Sequence, residues 1–167
     1  MDYLTIPLNA LHKKKDFNCG NVLLDNYLHL QAKQDIKRSL SSCFIFADEE
    51  NIVKGYYTLS NAGIKREFIP EDIMNKLPKS YAHLPATLLG RLAVAKSLAG
   101  RGIGELLLID ALKRSYHVSV SSIASMAVIV DPIDEGAIGF YRKYGFILLP
   151  DSGKMFLPMK TISGLFL

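Results

Sequence analysis

The chain has too little cysteine for a disulfide framework: Cys19 and Cys43 are its only two, without CxxC spacing, and read as reduced, partly buried thiols. It has no apolar run of the roughly 18–20 residues that a bilayer-spanning helix needs. It has no recognisable leader, because in "MDYLTIPLNALHKKKDF" the basic cluster follows the apolar residues and no small-residue cleavage site comes after it. Internal repeats, low-complexity tracts and linker-like shifts of composition are missing too. Together these absences exclude a secreted disulfide scaffold, a membrane span and a repeat array. They predict one domain over 1–167, cytoplasmic, with no membrane association and no metal centre.

What is present suits a compact core. The 167 residues are 49% hydrophobic, enough for one core and too few for two comfortable domains. The formal net charge of +4 is compatible with an anionic ligand without specifying one. Basic residues cluster at Lys13, Lys14 and Lys15, at Lys33, Lys37 and Arg38, at Lys65 and Arg66, and at Lys113 and Arg114. Each cluster alone reads as a solvated face; several on one surface would suit a polyanion such as RNA.

The order of elements reads as mixed α/β. "YLTIPL" predicts a first strand, and Leu23, Leu24, Tyr27, Leu28 and Ala32 in "DFNCGNVLLDNYLHLQAKQDIKRS" are spaced for one helix face. "CFIFAD", "EEN" and "IVKGYYTLSNAGI" predict a β-hairpin, with Gly55 marking a bulge or a close approach. "PEDIMNKL" predicts a short helix entered at Pro70. The near-continuous apolar "LPATLLGRLAVA" predicts a central, doubly covered strand. A helix carrying Ile103, Leu106, Leu107, Ala111 and Leu112 follows, then the buried strand "SIASMAVIV", which implies a parallel crossover. "DEGAIGFYRKYG" predicts a helix capped by Asp134 and stopped at Gly145, and "FILL" and "KMFLPM" close the sheet. The expected architecture is antiparallel in its first half, with a parallel step at a glycine loop.

That loop, in "LGRLAVAKSLAGRGIGELLLIDALKRS", carries the chemistry. Gly100, Gly102 and Gly104 alternate with Arg101 and Ile103 at a helix entrance. A triphosphate P-loop requires GK[ST] there, and Glu105 and Leu106 follow Gly104 instead. A dinucleotide turn requires G-x-G-x-x-G directly after the strand. Here the spacing differs and "AKSLA" intervenes, although Asp131 would mimic the ribose-binding acid. The third option is a pyrophosphate held by successive backbone N–H groups at the helix start, with Arg101 adding charge.

"LGRLAVAKSLAGRGIGELLLIDAL" resembles the acetyl-CoA-binding motif of the GNAT N-acetyltransferase superfamily, and "AIGFYRKYGF" resembles its later helix. Within that superfamily, "FNCGNVLLDNYL", "GYYTLS", "LPATLLGRLAV" and "FYRKYGF" resemble acetyltransferase toxins of bacterial toxin–antitoxin pairs. The resemblance implies a GNAT fold. It also implies acetylation of the α-amine of an aminoacyl-tRNA and a translation block relieved by a ribbon-helix-helix antitoxin. Dimerisation, and repression of operator DNA together with the antitoxin, are further expectations.

Residue by residue, the resemblance places the acetyl-CoA thioester beside Leu92, Ala93 and Val94. It places the pyrophosphate on Ala99, Gly100, Arg101, Gly102, Ile103, Gly104 and Glu105. Asp134 and Phe140 join the cofactor-binding set, and Tyr141 matches the tyrosine that protonates the departing CoA thiolate. Two departures stand out: Ala99 replaces the usual Gln or Arg, and Asp134 stands where many members have Asn. No histidine stands out as a base, His83 being the best placed. An α-amine with a pKa of about 7.7–8.0 is already partly neutral at physiological pH. The alternatives are a GNAT enzyme acting on a small amine or a protein N-terminus, an inactive acyl-CoA-binding module and, more distantly, a nicotinamide enzyme.

Overall fold

The computed structural model describes residues 2–167 and contains a seven-stranded mixed sheet. The strands are β1 (Ile6–Pro7), β2 (Ser42–Ala47), β3 (Val53–Lys65), β4 (His83–Val94), β5 (Ala127–Val130), β6 (Ile147–Leu148) and β7 (Met155–Pro158), in the order β1-β2-β3-β4-β5-β7-β6. The helices are α1 (Val22–Asn26), α2 (Ala32–Lys37), α3 (Glu71–Met74), α4 (Ile103–Ser121), α5 (Glu135–Lys143) and α6 (Met159–Ser163). As the sequence implied, β4 lies at the centre and pairs in parallel with β5, Thr87 opposite Val128 and Leu88 opposite Ile129. The chain forms two compact units, residues up to Ser60 with Gly90–Arg114, and Asn61–Leu89 with Ser115–Leu167.

In the first unit the expected hairpin pairs Ser42 with Leu59 through Phe46 with Gly55. The register shifts between Phe46 and Ala47, which pair with Gly55 and Val53, so the extra residue is Lys54, next to Gly55 on β3. Close approach holds there as well: a Cβ on Gly55 would lie 2.9 Å from Leu107 Cδ1 and 3.0 Å from the Ala93 carbonyl. Strand alternation then sends the two neighbouring tyrosines of "GYYTLS" to opposite faces. Tyr56 donates its hydroxyl to the Leu24 carbonyl at 2.6 Å, while Tyr57 donates to Asp110 Oδ2 at 2.8 Å. The Tyr56 face carries the main core of this unit, with Phe17, Tyr27, Leu28, Ile45 and Val53.

Three expectations for this unit need correction. The first strand shrinks to Ile6–Pro7, because Leu4 N donates to Asp110 Oδ1 at 2.7 Å rather than to a ladder and Pro7 has no N–H. The long first helix is broken by a π-helical turn, Tyr27–Gln31, closed by Ala32 N on the Tyr27 carbonyl. That wide turn keeps Ala32, five residues on, below Tyr27, so that Tyr27, Leu28 and Ala32 are buried, while Leu23, one α-helical turn before it, is 78% exposed. Arg114 is not part of a solvated basic face. Its Nε donates to Tyr57 Oη at 3.0 Å and its Nη2 to the Thr5 carbonyl at 2.9 Å, with the guanidinium between the rings of Tyr3 and Phe44. Thr5 Oγ1 donates to Asp110 Oδ2 at 2.6 Å and closes the network.

In the second unit the core joins Ile64, Leu84, Ala86, Ala127, Ile129 and Phe156. The helix expected over "PEDIMNKL" is one turn, and Arg66 takes over beyond it. Its guanidinium donates to the carbonyls of Met74, Leu77 and Pro78 and holds the turn that leads into β4. Asp134 caps α5 as expected, accepting from Ala137 N at 2.8 Å, and Gly145 follows the helix at φ +93°. The strand expected from Ser122 begins only at Ala127, since α4 runs to Ser121. The run "FILL" pairs at Ile147 and Leu148 alone, and α6 was not anticipated.

Asp110 is 5% exposed and accepts from three donors, so its removal leaves Tyr57, Thr5 and the Arg114 charge without their partner. Asp110→Ala is expected to destabilise the chain by roughly 3–5 kcal/mol and Tyr57→Phe by roughly 1.5–3 kcal/mol. Urea unfolding followed by circular dichroism checks both values.

Candidate active site

The start of α4 is built as an anion cradle. Gly100 and Gly102 have φ of +77° and +78°, a region that costs other residues roughly 1–2 kcal/mol. A Cβ at either glycine would meet nothing within 4 Å, so the backbone conformation selects glycine and the space above the loop is open. The first helical bond runs from Leu106 N to the Gly102 carbonyl at 3.2 Å. The N–H groups of Ile103, Gly104 and Glu105 therefore have no acceptor inside the helix. Gly102, immediately before the helix, has no side chain with which to cap them. Donors in that arrangement, at the positive end of a helix of 19 residues, suit a phosphate. Ala99 and Arg101 are both exposed beside this loop.

Leu92, Ala93 and Val94 form the last three residues of β4 in the same unit, Ala93 buried and the other two half-buried. Ala95 N donates to the Lys54 carbonyl at 2.8 Å and Lys96 N to the Asn18 carbonyl at 2.8 Å. These two bonds pin the chain between the strand end and the cradle. One residue before Leu92, Arg91 lies over the Tyr27 ring with its Cζ 3.5 Å from the centroid. Its position in "GRLAV" gave no hint of that contact.

The second unit carries Asp134, Phe140 and Tyr141 on α5. Asp134 is already engaged as the helix cap, which gives its carboxylate a structural role independent of any ligand. Phe140 meets Tyr141 edge-on at 5.3 Å between ring centroids and Tyr144 at 5.1 Å, and Phe146 flanks Tyr141 at 5.2 Å. The Tyr141 residue is 8% exposed, and burial pushes its phenol up to about 12. Held between these rings, the side chain is a protonated phenol on a fixed aromatic stem.

Among the histidines, His83 opens β4 and is exposed. His12 is buried, accepts from Asn9 N through Nδ1 at 3.1 Å, and burial lowers its pKa so that it stays neutral. No group of three or more metal-ligating side chains occurs among the described residues.

A family model described as an acetyltransferase (GNAT) domain matches residues 39–148. A tRNA-acetylating toxin of Mycobacterium tuberculosis is 31% identical over 150 residues, covering 89% of this chain and 87% of the relative. Among solved structures, AtaT complexed with acetyl-methionyl-tRNAfMet has a TM-score of 0.89 at 28% identity, covering 99% of this chain and 100% of that one. AtaTR bound with acetyl-CoA has a TM-score of 0.85 at 27% identity, with 99% of each chain covered. A KacTA–DNA complex has a TM-score of 0.82 at 27% identity, covering 99% of this chain and 97% of that one.

The shifted phenol has a direct readout. In carbon-13 spectra of protein labelled at the tyrosine Cζ, the resonance lost in Tyr141→Phe is expected to stay at its neutral position up to pH 10.5. An ordinary tyrosine is more than half ionised there.

Proposed function

Because the chain belongs to the GNAT acetyltransferase family, we propose that it transfers the acetyl group of acetyl-CoA to the α-amine of an aminoacyl-tRNA and so acts as a translation-blocking toxin. The observation that carries this reading is the open backbone cradle at the start of α4, where Gly100 and Gly102 hold positive φ and leave the space above the helix donors free. Similarity over almost the whole chain to a tRNA-acetylating toxin, and to AtaT in complex with acetyl-methionyl-tRNAfMet, supports this acceptor.

The parts divide by chemistry. The N–H groups from Gly100 to Glu105 hold the pyrophosphate of acetyl-CoA, with Arg101 adding positive charge and Ala99 and Ile103 completing the loop. Backbone donors do this regardless of side chain, so Ala99 at a position usually held by Gln or Arg leaves the cradle intact. Leu92, Ala93 and Val94 orient the acyl arm. Tyr141 Oη donates its proton to the sulfur as the carbon–sulfur bond breaks, Phe140 fixing the ring beside it. Burial favours the neutral phenol, so the proton is in place throughout the working pH range. The acceptor α-amine, with a pKa of about 7.7–8.0, supplies its own neutral fraction and attacks with water taking its proton.

The whole chain, 1–167, works in this reading as a single catalytic domain in the cytoplasm. A ribbon-helix-helix antitoxin, operator DNA bound through that complex, and a homodimer complete the proposed partners. Similarity to the KacTA–DNA complex supports the DNA link, and the exposed Val22, Leu23 and Leu30 offer apolar surface for a protein partner.

Labelled acetyl from acetyl-CoA is expected on a charged tRNA pool and not on uncharged tRNA. Label on small amines or protein N-termini instead would move the substrate class while leaving the family. Tyr141→Phe is expected to keep acetyl-CoA binding and lower kcat by roughly 10²–10⁴-fold, whereas Gly102→Arg loses the binding itself. The single-turnover rate should rise as the amine deprotonates near pH 8 and then level off. A falling limb between pH 8.5 and 9.5 would contradict a phenol held at about 12.

A further inference from the structure

The three consecutive lysines near the N-terminus do not share a surface. Lys13 forms a β-bridge with Ile52, and a turn closed by Phe17 N on the Lys14 carbonyl at 3.1 Å follows at once. Lys14 turns inward and donates its Nζ to the Leu28 carbonyl at 3.0 Å, while Lys13 and Lys15 line a cavity of about 530 Å³ on the other side. Lys54 from the start of β3 and Lys96 from just past β4 line the same cavity, where Asp16 is the one acidic residue among the lining groups. Lys54 leans towards Asp48 at 3.9 Å, but none of the described ion pairs includes Lys13, Lys15 or Lys96. The wall is stiff: Phe17 and Val53 are buried beneath it, and the bonds from Ala95 N and Lys96 N fix its rim. Lysines that line one cavity outside any described ion pair gain most from a multiply charged anion.

We propose that this cavity holds backbone phosphates of the RNA acceptor strand, next to its charged end. The inference rests on the aminoacyl-tRNA reading above. Three features favour RNA over the phosphates of acetyl-CoA. The pyrophosphate of acetyl-CoA already has its donors at Gly100 to Glu105. The cavity includes the start of β3, which borders β4 on the side away from β5. Lys96 lies two residues past Val94, so a strand held here ends within reach of the site assigned to the thioester. Lysine serves as a mobile point charge towards a phosphodiester, without the base selectivity that a rigid fork would add.

The test uses the full chain, fluorescent tRNA and a salt series from 50 to 250 mM KCl. The triple variant Lys13→Ala, Lys15→Ala and Lys96→Ala is expected to bind tRNA at least tenfold more weakly. It should lower the slope of log K against log salt by about two, since each single-strand phosphate contact contributes about 0.7. Arginine at the same three positions should restore the slope, and acetyl-CoA affinity should not change in either triple variant. An alanine triple that binds tRNA with wild-type affinity and slope overturns the cavity assignment while the acetyl-transfer reading stands. Loss of acetyl-CoA affinity with tRNA binding retained overturns it too and gives the cavity to the cofactor. A wild type that binds tRNA in a lysine-dependent way yet transfers no acetyl to any charged tRNA supports the cavity and sinks the substrate reading. A wild type that binds no tRNA sinks both.

Discussion

One buried carboxylate organises the half of the molecule that holds the cradle. Asp110 stands on α4, two turns beyond its first residue, and gathers a backbone N–H from Leu4, a hydroxyl from Thr5 and a phenol from Tyr57. Without those donors an ionised group 5% exposed would be strongly unfavourable; with them it becomes a fixed point. Arg114, one helical turn on, balances its charge from 4.0 Å and is itself enclosed by the Tyr3 and Phe44 rings. The consequence reaches the helix start. The donors of Ile103, Gly104 and Glu105 point where α4 points, and α4 is tied at Asp110 to β3 and to the N-terminal segment. A cradle made of backbone has no rotamers to adjust, so its accuracy comes from such anchoring.

The two proposed chemical elements follow opposite design rules. The cradle uses main-chain groups and tolerates side-chain change, as Ala99 illustrates. The proton donor depends on one oxygen, and its environment is correspondingly specific: Phe140 and Phe146 pack the Tyr141 ring and exclude water from it. That burial makes the phenol a weaker acid in isolation and also keeps it protonated. A donor need not be acidic in the resting site. A thiolate developing beside it favours the transfer as charge accumulates, and the low local dielectric strengthens that pull.

Much of the fold was legible because it rests on local rules. Two strand-like runs around the polar turn "EEN" gave the β2–β3 pairing, apolar runs gave the central β4 and β5, and the Asp134 cap and Gly145 bounded α5. The glycine loop was legible for a similar reason: two residues at positive φ before a helix leave a mark in sequence. What was not legible depends on long-range contact. Nothing near Leu4 announces that its N–H bonds to a helix 106 residues away and so shortens β1. The π turn at Tyr27–Gln31 widens one turn of an otherwise regular pattern; the predicted face holds for Tyr27, Leu28 and Ala32, while Leu23, ahead of that turn, faces out. Family resemblance, rather than spacing, singled out Tyr141, since Phe140 and Tyr144 carry the same periodic signal.

Charge shows most clearly why composition stops short of function. Lys113 and Arg114 are neighbours in sequence, yet Arg114 sits between two rings while Lys113 donates to the Asp2 carbonyl at 2.7 Å. Arg66 is absorbed by the carbonyls of Met74, Leu77, Pro78 and Tyr81, Lys154 by Asp131 at 2.7 Å, and Lys14 by Leu28. Each of these cations counts in the net charge, but its partner is already inside the fold. Lys13, Lys15 and Lys96 differ in having a shared cavity and no ion pair among the described residues. The electrostatic footprint of a polyanion ligand is therefore set by which cations the fold leaves unpaired in one place. In this chain that selection follows from the β-bridge at Lys13 and the turn from Lys14 to Phe17, which leave Lys13 and Lys15 on one cavity and Lys14 against the Leu28 carbonyl.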